Sequence, residues 1–246
     1  MWLGNPPLRP RRERHLGRCD RADGARSGRC AARRSQIPYL VTAPASRAFA
    51  KLDHALDAFG LDVRGLVCAD FGCNVGGFTD CLLARGAARV HAIDTAYGLL
   101  AWRLRNDARV VVMERTNALH APAPPGGVDL VVVDLAWTPQ RHAVPAALRW
   151  LSPAGAGRVI TLIKPHYEAA ADGARPERGG LDVRVAEVVR DRVLGAMPAL
   201  GATALACVAS PITGAKSARR GAGNVEFLAL LARHSPGPGE AAERRL

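Results

Sequence analysis

Seven short apolar runs separated by segments with helical spacing constrain this chain more than any other feature. Leu66–Phe71, Val90–Asp94, Val110–Met113, Leu130–Asp134, Val159–Lys164, Thr203–Ala209 and Val225–Leu231 read as strands. Gly77–Arg85, Leu99–Asn106, Val144–Leu151 and Val183–Met197 read as helices between them. Ahead of the first strand, Phe49, Leu52, Leu56 and Phe59 recur every three or four residues, which predicts a helix over 46–59. Such alternation argues for an α/β fold, a seven-stranded, mostly parallel sheet with helices on both faces. The strands are almost continuously apolar, as burial on both faces requires. Glycine- and proline-rich patches at 121–127 and 174–180 fall between elements and read as loops. No internal repeat is present.

The junction of the first strand and the next helix reads D-F-G-C-N-V-G-G-F-T-D, Asp70 to Asp80. Its glycines, Gly72, Gly76 and Gly77, let a ligand sit on bare main chain at a helix N-terminus. Their spacing is not the G-x-G-x-x-G of a dinucleotide site. Asp70 at the strand end would repel a pyrophosphate and suits a cationic ligand such as S-adenosylmethionine. Ligands of open α/β sheets bind at the carboxyl ends of strands. Those ends carry Asp70, Asp94, Glu114-Arg-Thr-Asn117, Asp134 and Lys164. Asp94 stands 22 positions beyond Gly72, where an acidic residue can take the two hydroxyls of a ribose. Asp134 and Lys164 end neighbouring strands and should face one crevice. Lys51 on the preceding helix and Glu226 at the start of the last strand would complete a charge-balanced cluster of two bases and two acids.

The chain has 246 residues, 48% of them apolar, enough to bury a real core as one domain with extensions. Its formal net charge of +12 points to a polyanionic partner. Residues 1–34 hold ten arginines against Glu13, Asp20 and Asp23, so this stretch supplies +7 and the rest is still basic. Residues 1–36 therefore read as a basic, disordered extension, 37–234 as the folded domain, and 235–246 as a disordered tail. The six cysteines form no C-x-x-C pair and the seven histidines are scattered, which argues against a metal site and for reduced cytosolic thiols. Cys73 reads as a small filler of the glycine turn. Prolines and arginines break the N-terminus, and no apolar run approaches 18 residues, so neither a secretory leader nor a membrane span is expected.

The motifs taken together resemble the FtsJ-type 2′-O-ribose RNA methyltransferases, and within them the TlyA (haemolysin A) branch acting on ribosomal RNA. The resemblance runs from about Ala45 to Arg233. It rests on G-G-F-T-D-C-L-L (Gly76–Leu83), R-G-A-A-R-V (Arg85–Val90), L-A-W-R-L-R-N-D (Leu100–Asp107), E-R-T-N (Glu114–Asn117), L-I-K-P-H-Y-E (Leu162–Glu168), S-P-I-T-G (Ser210–Gly214) and G-N-V-E-F-L (Gly223–Leu228). It implies a Rossmann-like class I S-adenosylmethionine-dependent methyltransferase fold and a cytoplasmic enzyme with an RNA partner. The family's K-D-K-E tetrad carries over onto Lys51, Asp134, Lys164 and Glu226. Its S-adenosylmethionine contacts carry over onto Gly76, Phe78, Asp94, Asp134 and Asn117; Asp70, Gly72, Asn74 and Gly77 in the turn join them as candidate cofactor contacts. Members of the branch usually carry an S4-type RNA-binding domain in front, where this chain has its arginine-rich stretch.

Aromatic residues make up only 5%, too few for a broad base-stacking platform. Trp137, three residues past Asp134, is placed either to stack on a splayed target base or to pack under its loop. The basic loop Lys216-Ser-Ala-Arg-Arg-Gly-Ala-Gly223 is a candidate phosphate contact. Two competing readings are a methyltransferase of the same fold acting on a small molecule or protein, and a non-catalytic RNA-binding or ribosome-assembly factor. The tetrad weighs against the second and the basic body against the first. A membrane-damaging role finds no basic amphipathic helix to support it.

Overall fold

A computed structural model describes residues 43–153, 155–173, 181–214 and 223–234. The basic stretch 1–36, residues 216–222 of the basic loop and the tail 235–246 lie outside the described residues. The elements run α1 (Ala48–Ala58), β1 (Val67–Phe71), α2 (Gly77–Ala84), β2 (Arg89–Ile93), α3 (Trp102–Arg105), β3 (Val110–Met113), β4 (Leu130–Val133), α4 (Gln140–Trp150), β5 (Arg158–Ile163), α5 (Pro165–Ala171), α6 (Val183–Gly195), β6 (Ala202–Ala209) and β7 (Phe227–Arg233).

The strands form one sheet in the order β3-β2-β1-β4-β5-β7-β6. β1 to β5 pair in parallel, and β7 alone is reversed, antiparallel to both β5 and β6. Alternate residues of each strand enter opposite cores, as a two-residue period demands. Ala69, Phe71, Val131 and Val133 face α4 and α6 around the fully buried Trp150. Cys68, Leu130 and Val132 face α1, α2 and α3 through Leu52, Leu56, Leu82 and Leu104. This is the Rossmann-like α/β sheet expected, covered on both faces.

Chain direction across the sheet reverses between β1 and β4, the place where such folds open a crevice. The Asp134 N–H donates to the Phe71 carbonyl at 2.9 Å, so the two strand ends diverge directly beyond this bond. Gly72 and Asp134 stand on either lip.

Elements differ from expectation at four places. α4 begins at Gln140 and carries Pro145 inside it. The hydrogen bond Pro145 cannot donate would have gone to Arg141, which is exposed, so water can take its place. α5 was not anticipated; Pro165 opens it at the first helical position, but seven residues are too few to show a period. α3 is one turn, shorter than the expected 99–106. β7 starts at Phe227, leaving Glu226 just outside the ladder.

Candidate active site

The turn after β1 is shaped by what glycine permits. Gly72 has φ +85°, and a Cβ there would lie 2.6 Å from the Asp134 carbonyl oxygen. Gly76 caps α2 at φ +101°, where a Cβ would strike Leu104 and Leu100. Between them Asn74 also adopts a left-handed conformation, and its N–H donates to Asp94 Oδ2 at 2.8 Å. The turn is thereby tied to the end of β2, since the other Asp94 oxygen accepts from Ala96 N–H at 2.8 Å.

Two adjoining cavities open at this switch point and share Gly72, Asn74, Asp134 and Ala136. The smaller, about 310 Å³, is lined by Asp94, Thr116, Asn117 and Asp134 with Ile93, Leu99, Leu119 and Leu135. It has two carboxylates and no cation among its lining residues. Such a site rejects phosphate groups and accepts a cation, hydroxyls and an amine around a flat apolar body. The adenosine and methionine parts of S-adenosylmethionine fit that donor set. Asp94 and Asn117 would hold the sugar and base, with the bare main chain at Gly72 giving close approach.

The larger cavity, about 540 Å³, is lined by all four expected tetrad residues. They form two ion pairs. Lys164 Nζ lies 2.5 Å from Asp134 Oδ1 and donates to the Leu135 carbonyl at 3.2 Å. Lys51 Nζ lies 2.5 Å from Glu226 Oε2, both residues being buried. The S-P-I-T-G and G-N-V-E motifs build the second pair's support. Ser210 N–H donates to the Glu226 carbonyl at 2.8 Å, and Gly214 N–H to the Asn224 carbonyl at 2.9 Å. A Cβ on Gly214 would come within 2.8 Å of Glu226 Oε1, so this glycine leaves room for the carboxylate. Asn74, Gly77 and Phe78 complete the wall towards α2.

Of the expected cofactor contacts, Gly77 and Phe78 line only the larger cavity, and Asp70 and Gly76 line neither. Asp70 lines neither cavity; it is fully buried beneath α2, where Thr79 donates to Oδ2 from N–H at 2.8 Å and from Oγ1 at 2.7 Å. Its side chain points to the face opposite Phe71, so it braces the helix start rather than a ligand. Burial pushes its carboxyl up to about 7, against the two Thr79 hydrogen bonds and with help from Asp134 and Asp94. Gly76 also lines neither cavity and serves as the packing point for Leu100 and Leu104. Cys73 does line the larger cavity, but burial drives its thiol far above the ordinary range, which fits a filler and not a nucleophile.

Three lining residues were not anticipated: Arg47, His166 and Tyr167. Nearness to Lys164 is the available sequence signal for His166 and Tyr167. Tyr167 packs against Trp137, ring centroids 4.3 Å apart, and against His166 at 4.1 Å, with its ring tilted to both. Trp137 is 75% exposed and holds φ +57°, so it does not pack under its loop. Burial, and then the Lys164 charge, hold the His166 imidazole below its usual range and therefore neutral near pH 7.

The family profile for FtsJ-like methyltransferases matches residues 44–227. The chain belongs to the FtsJ-like methyltransferase family. Among curated relatives of this FtsJ-like protein is the 16S/23S rRNA (cytidine-2′-O)-methyltransferase TlyA of Mycobacterium tuberculosis. The two are 41% identical over 192 residues, 76% of this chain and 67% of TlyA. Hemolysin A of Brachyspira hyodysenteriae is 33% identical over 75% of each chain. A solved structure from Lactococcus lactis superposes with a TM-score of 0.67 at 34% identity, covering 81% of this chain and 90% of that one. The FtsJ-like chain is thus a methyltransferase, and its cofactor is S-adenosylmethionine. Among its described residues no helix is long and apolar enough to cross a membrane, and no cluster of metal-ligating side chains occurs.

Proposed function

We propose that this methyltransferase transfers the methyl group to a ribose 2′ oxygen of ribosomal RNA, with Lys51, Asp134, Lys164 and Glu226 as its catalytic groups. The observation that carries the reading is the convergence of two lysine–carboxylate pairs on one cavity beside a cation-free cofactor cavity. The name borne by the TlyA relative supports the ribose and the RNA class.

S-adenosylmethionine, when bound, supplies a methyl group activated by its sulfonium. The chain's own work is to hold a hydroxyl in line and to dispose of one proton. Lys164 has three N–H donors; Asp134 and the Leu135 carbonyl engage two, leaving one for the 2′ oxygen. As the hydroxyl loses its proton, the fixed ammonium stabilises the charge developing on oxygen. The proton passes to a carboxylate of the cluster, Asp134 being the one paired with Lys164. Asp134 lines both cavities and sets the distance between donor and acceptor. Lys51 and Glu226 neutralise one another on the far side and wall the cavity rigidly. Trp137, packed against Tyr167 at this cavity, offers an exposed face to a base splayed out of its helix.

The test is to incubate the protein with methyl-labelled S-adenosylmethionine and bacterial 30S subunits, 50S subunits or their naked RNAs, then digest to nucleosides. Label in a 2′-O-methylnucleoside is the expected result. Label on a base, or on protein alone, would overturn the reading.

A further inference from the structure

The charges lining the larger cavity do not cancel. Its charged side chains are Arg47, Lys51, Asp134, Lys164 and Glu226. Lys51 is paired with Glu226 and Lys164 with Asp134, each at 2.5 Å. Arg47 is the remaining cation, and it makes no ion pair or side-chain hydrogen bond among the described residues. It is exposed, and it immediately precedes α1, four positions before Lys51. Residues four apart share a helix face, which puts the free guanidinium on the side of α1 that carries the buried Lys51–Glu226 pair. The tetrad carries no net positive charge with which to balance a phosphate, because each ammonium in it is paired with a carboxylate.

We infer that Arg47 is a substrate-binding residue that clamps a phosphate flanking the target ribose. The inference rests on the ribose reading above. A 2′ hydroxyl entering this cavity brings its neighbouring phosphate with it, since the 3′ oxygen that carries the phosphate hangs from the adjacent ring carbon. That phosphate must find a counter-charge at the cavity wall, and Arg47 is the one unpaired cation there among the described residues. A planar guanidinium can take two phosphate oxygens at once, and its five N–H donors have no partner among the described residues. The contact fixes the ribose against rotation and hands its 2′ oxygen to Lys164.

The experiment compares wild type, Arg47→Ala and Arg47→Lys on naked ribosomal RNA. Arg47→Ala should weaken RNA binding and raise KM about tenfold to a hundredfold, the worth of one charge-assisted hydrogen-bonded contact. The slope of log affinity against log salt should become shallower by roughly 0.7–0.9, one phosphate's share. Arg47→Lys should recover most of the salt slope and only part of the KM. S-adenosylmethionine affinity and melting temperature should stay at wild-type values, which a merely structural role would not allow. A short RNA carrying neutral methylphosphonates on both sides of the target ribose should impair wild type but not impair Arg47→Ala further. Unchanged KM and salt slope in Arg47→Ala, with the wild type still forming 2′-O-methylribose, would overturn the clamp and leave the ribose reading standing. A wild type that puts its methyl group elsewhere would overturn both.

Discussion

Lys164 and Lys51 make ion pairs of the same length but answer to different physics. The Lys164 side chain is 13% exposed and that of Asp134 21%, so solvent reaches this pair. Replacing Lys164 by Ala therefore removes the group that steadies the 2′ oxygen without stranding a charge in the core. Turnover should fall by about 10²- to 10⁴-fold, the usual worth of a positioned proton-transfer or charge-stabilising group. Calorimetry should find cofactor affinity within a few-fold of wild type. An active Lys164→Ala protein would remove the proposed mechanism. Lys51 and Glu226 are both buried, and breaking such a pair from one side leaves an uncompensated charge, at about 3–5 kcal/mol. Lys51→Ala should consequently lower the denaturation midpoint markedly. The double change Lys51→Met with Glu226→Leu should restore much of the stability and none of the activity. Recovery of stability without activity separates the pair's chemistry from its packing. In the sequence these four residues are legible only together, through the family resemblance, because singly each also reads as an ordinary surface or strand-terminal charge. Arg47 is not, because an arginine exposed on its surface follows no pattern; only the pairing of its neighbours shows it to be the odd cation.

At the scale of the element, the β1–α2 turn gives the cofactor cavity Gly72 and Asn74. The close approach at Gly72 can be told apart from simple backbone strain by comparison with Gly98, a positive-φ glycine in the β2–α3 loop. Gly72→Ala forces a side chain into φ +85°, a conformation costing roughly 1–2 kcal/mol for an L residue, and also drives a Cβ to 2.6 Å from the Asp134 carbonyl oxygen. Gly98→Ala meets the same kind of strain at φ +75° with nothing within 4 Å. Thermal unfolding should show Gly98→Ala mildly destabilised and Gly72→Ala destabilised by more. Cofactor affinity should drop at least tenfold for Gly72→Ala alone, because only there is the Asp134 backbone displaced. Equal effects from the two would mean that the close approach has no bearing on the site. Elements of this kind read well from sequence when glycine spacing and an apolar strand agree. α5 did not, although it carries two cavity-lining residues, because Pro165 gives a start signal and seven residues give nothing more. α4 starts four residues ahead of the expected Val144 and carries Pro145 inside it. A proline in a helical pattern argues for a boundary, and only the exposed position of Arg141 shows why the helix can run through it.

Across the whole molecule, a mostly parallel seven-stranded sheet is implicit in the alternation of elements, whereas the strand order and the direction in which each side chain points are not. Asp70 illustrates the difference. A carboxylate at a strand end beside a glycine turn reads as a ligand contact, but the two-residue period turns Asp70 under α2 and Phe71 to the opposite core. The consequence is a pH-dependent term in global stability. Its carboxyl, pushed up to about 7 by burial, keeps its proton in the folded chain over a range where the unfolded chain has lost it. Below about pH 4 both states hold the proton and the contribution is fully present. As pH rises from about 4 towards 7 the unfolded state releases its proton first, the folded state binds more protons, and stability falls. The total loss is at most about 4 kcal/mol, three units at 1.36 kcal/mol each. Asp70→Asn keeps an oxygen to accept from Thr79 and cannot ionise. Its absolute stability is set by how the buried amide is accommodated, so the slope is what matters. Urea unfolding at pH 5, 6, 7 and 8 should give a flatter stability profile for Asp70→Asn than for wild type, with the difference between the two proteins growing up to about pH 7 and constant above it. Parallel profiles would mean that Asp70 is ionised in the folded chain throughout, and that the hydrogen bonds from Thr79 outweigh its burial.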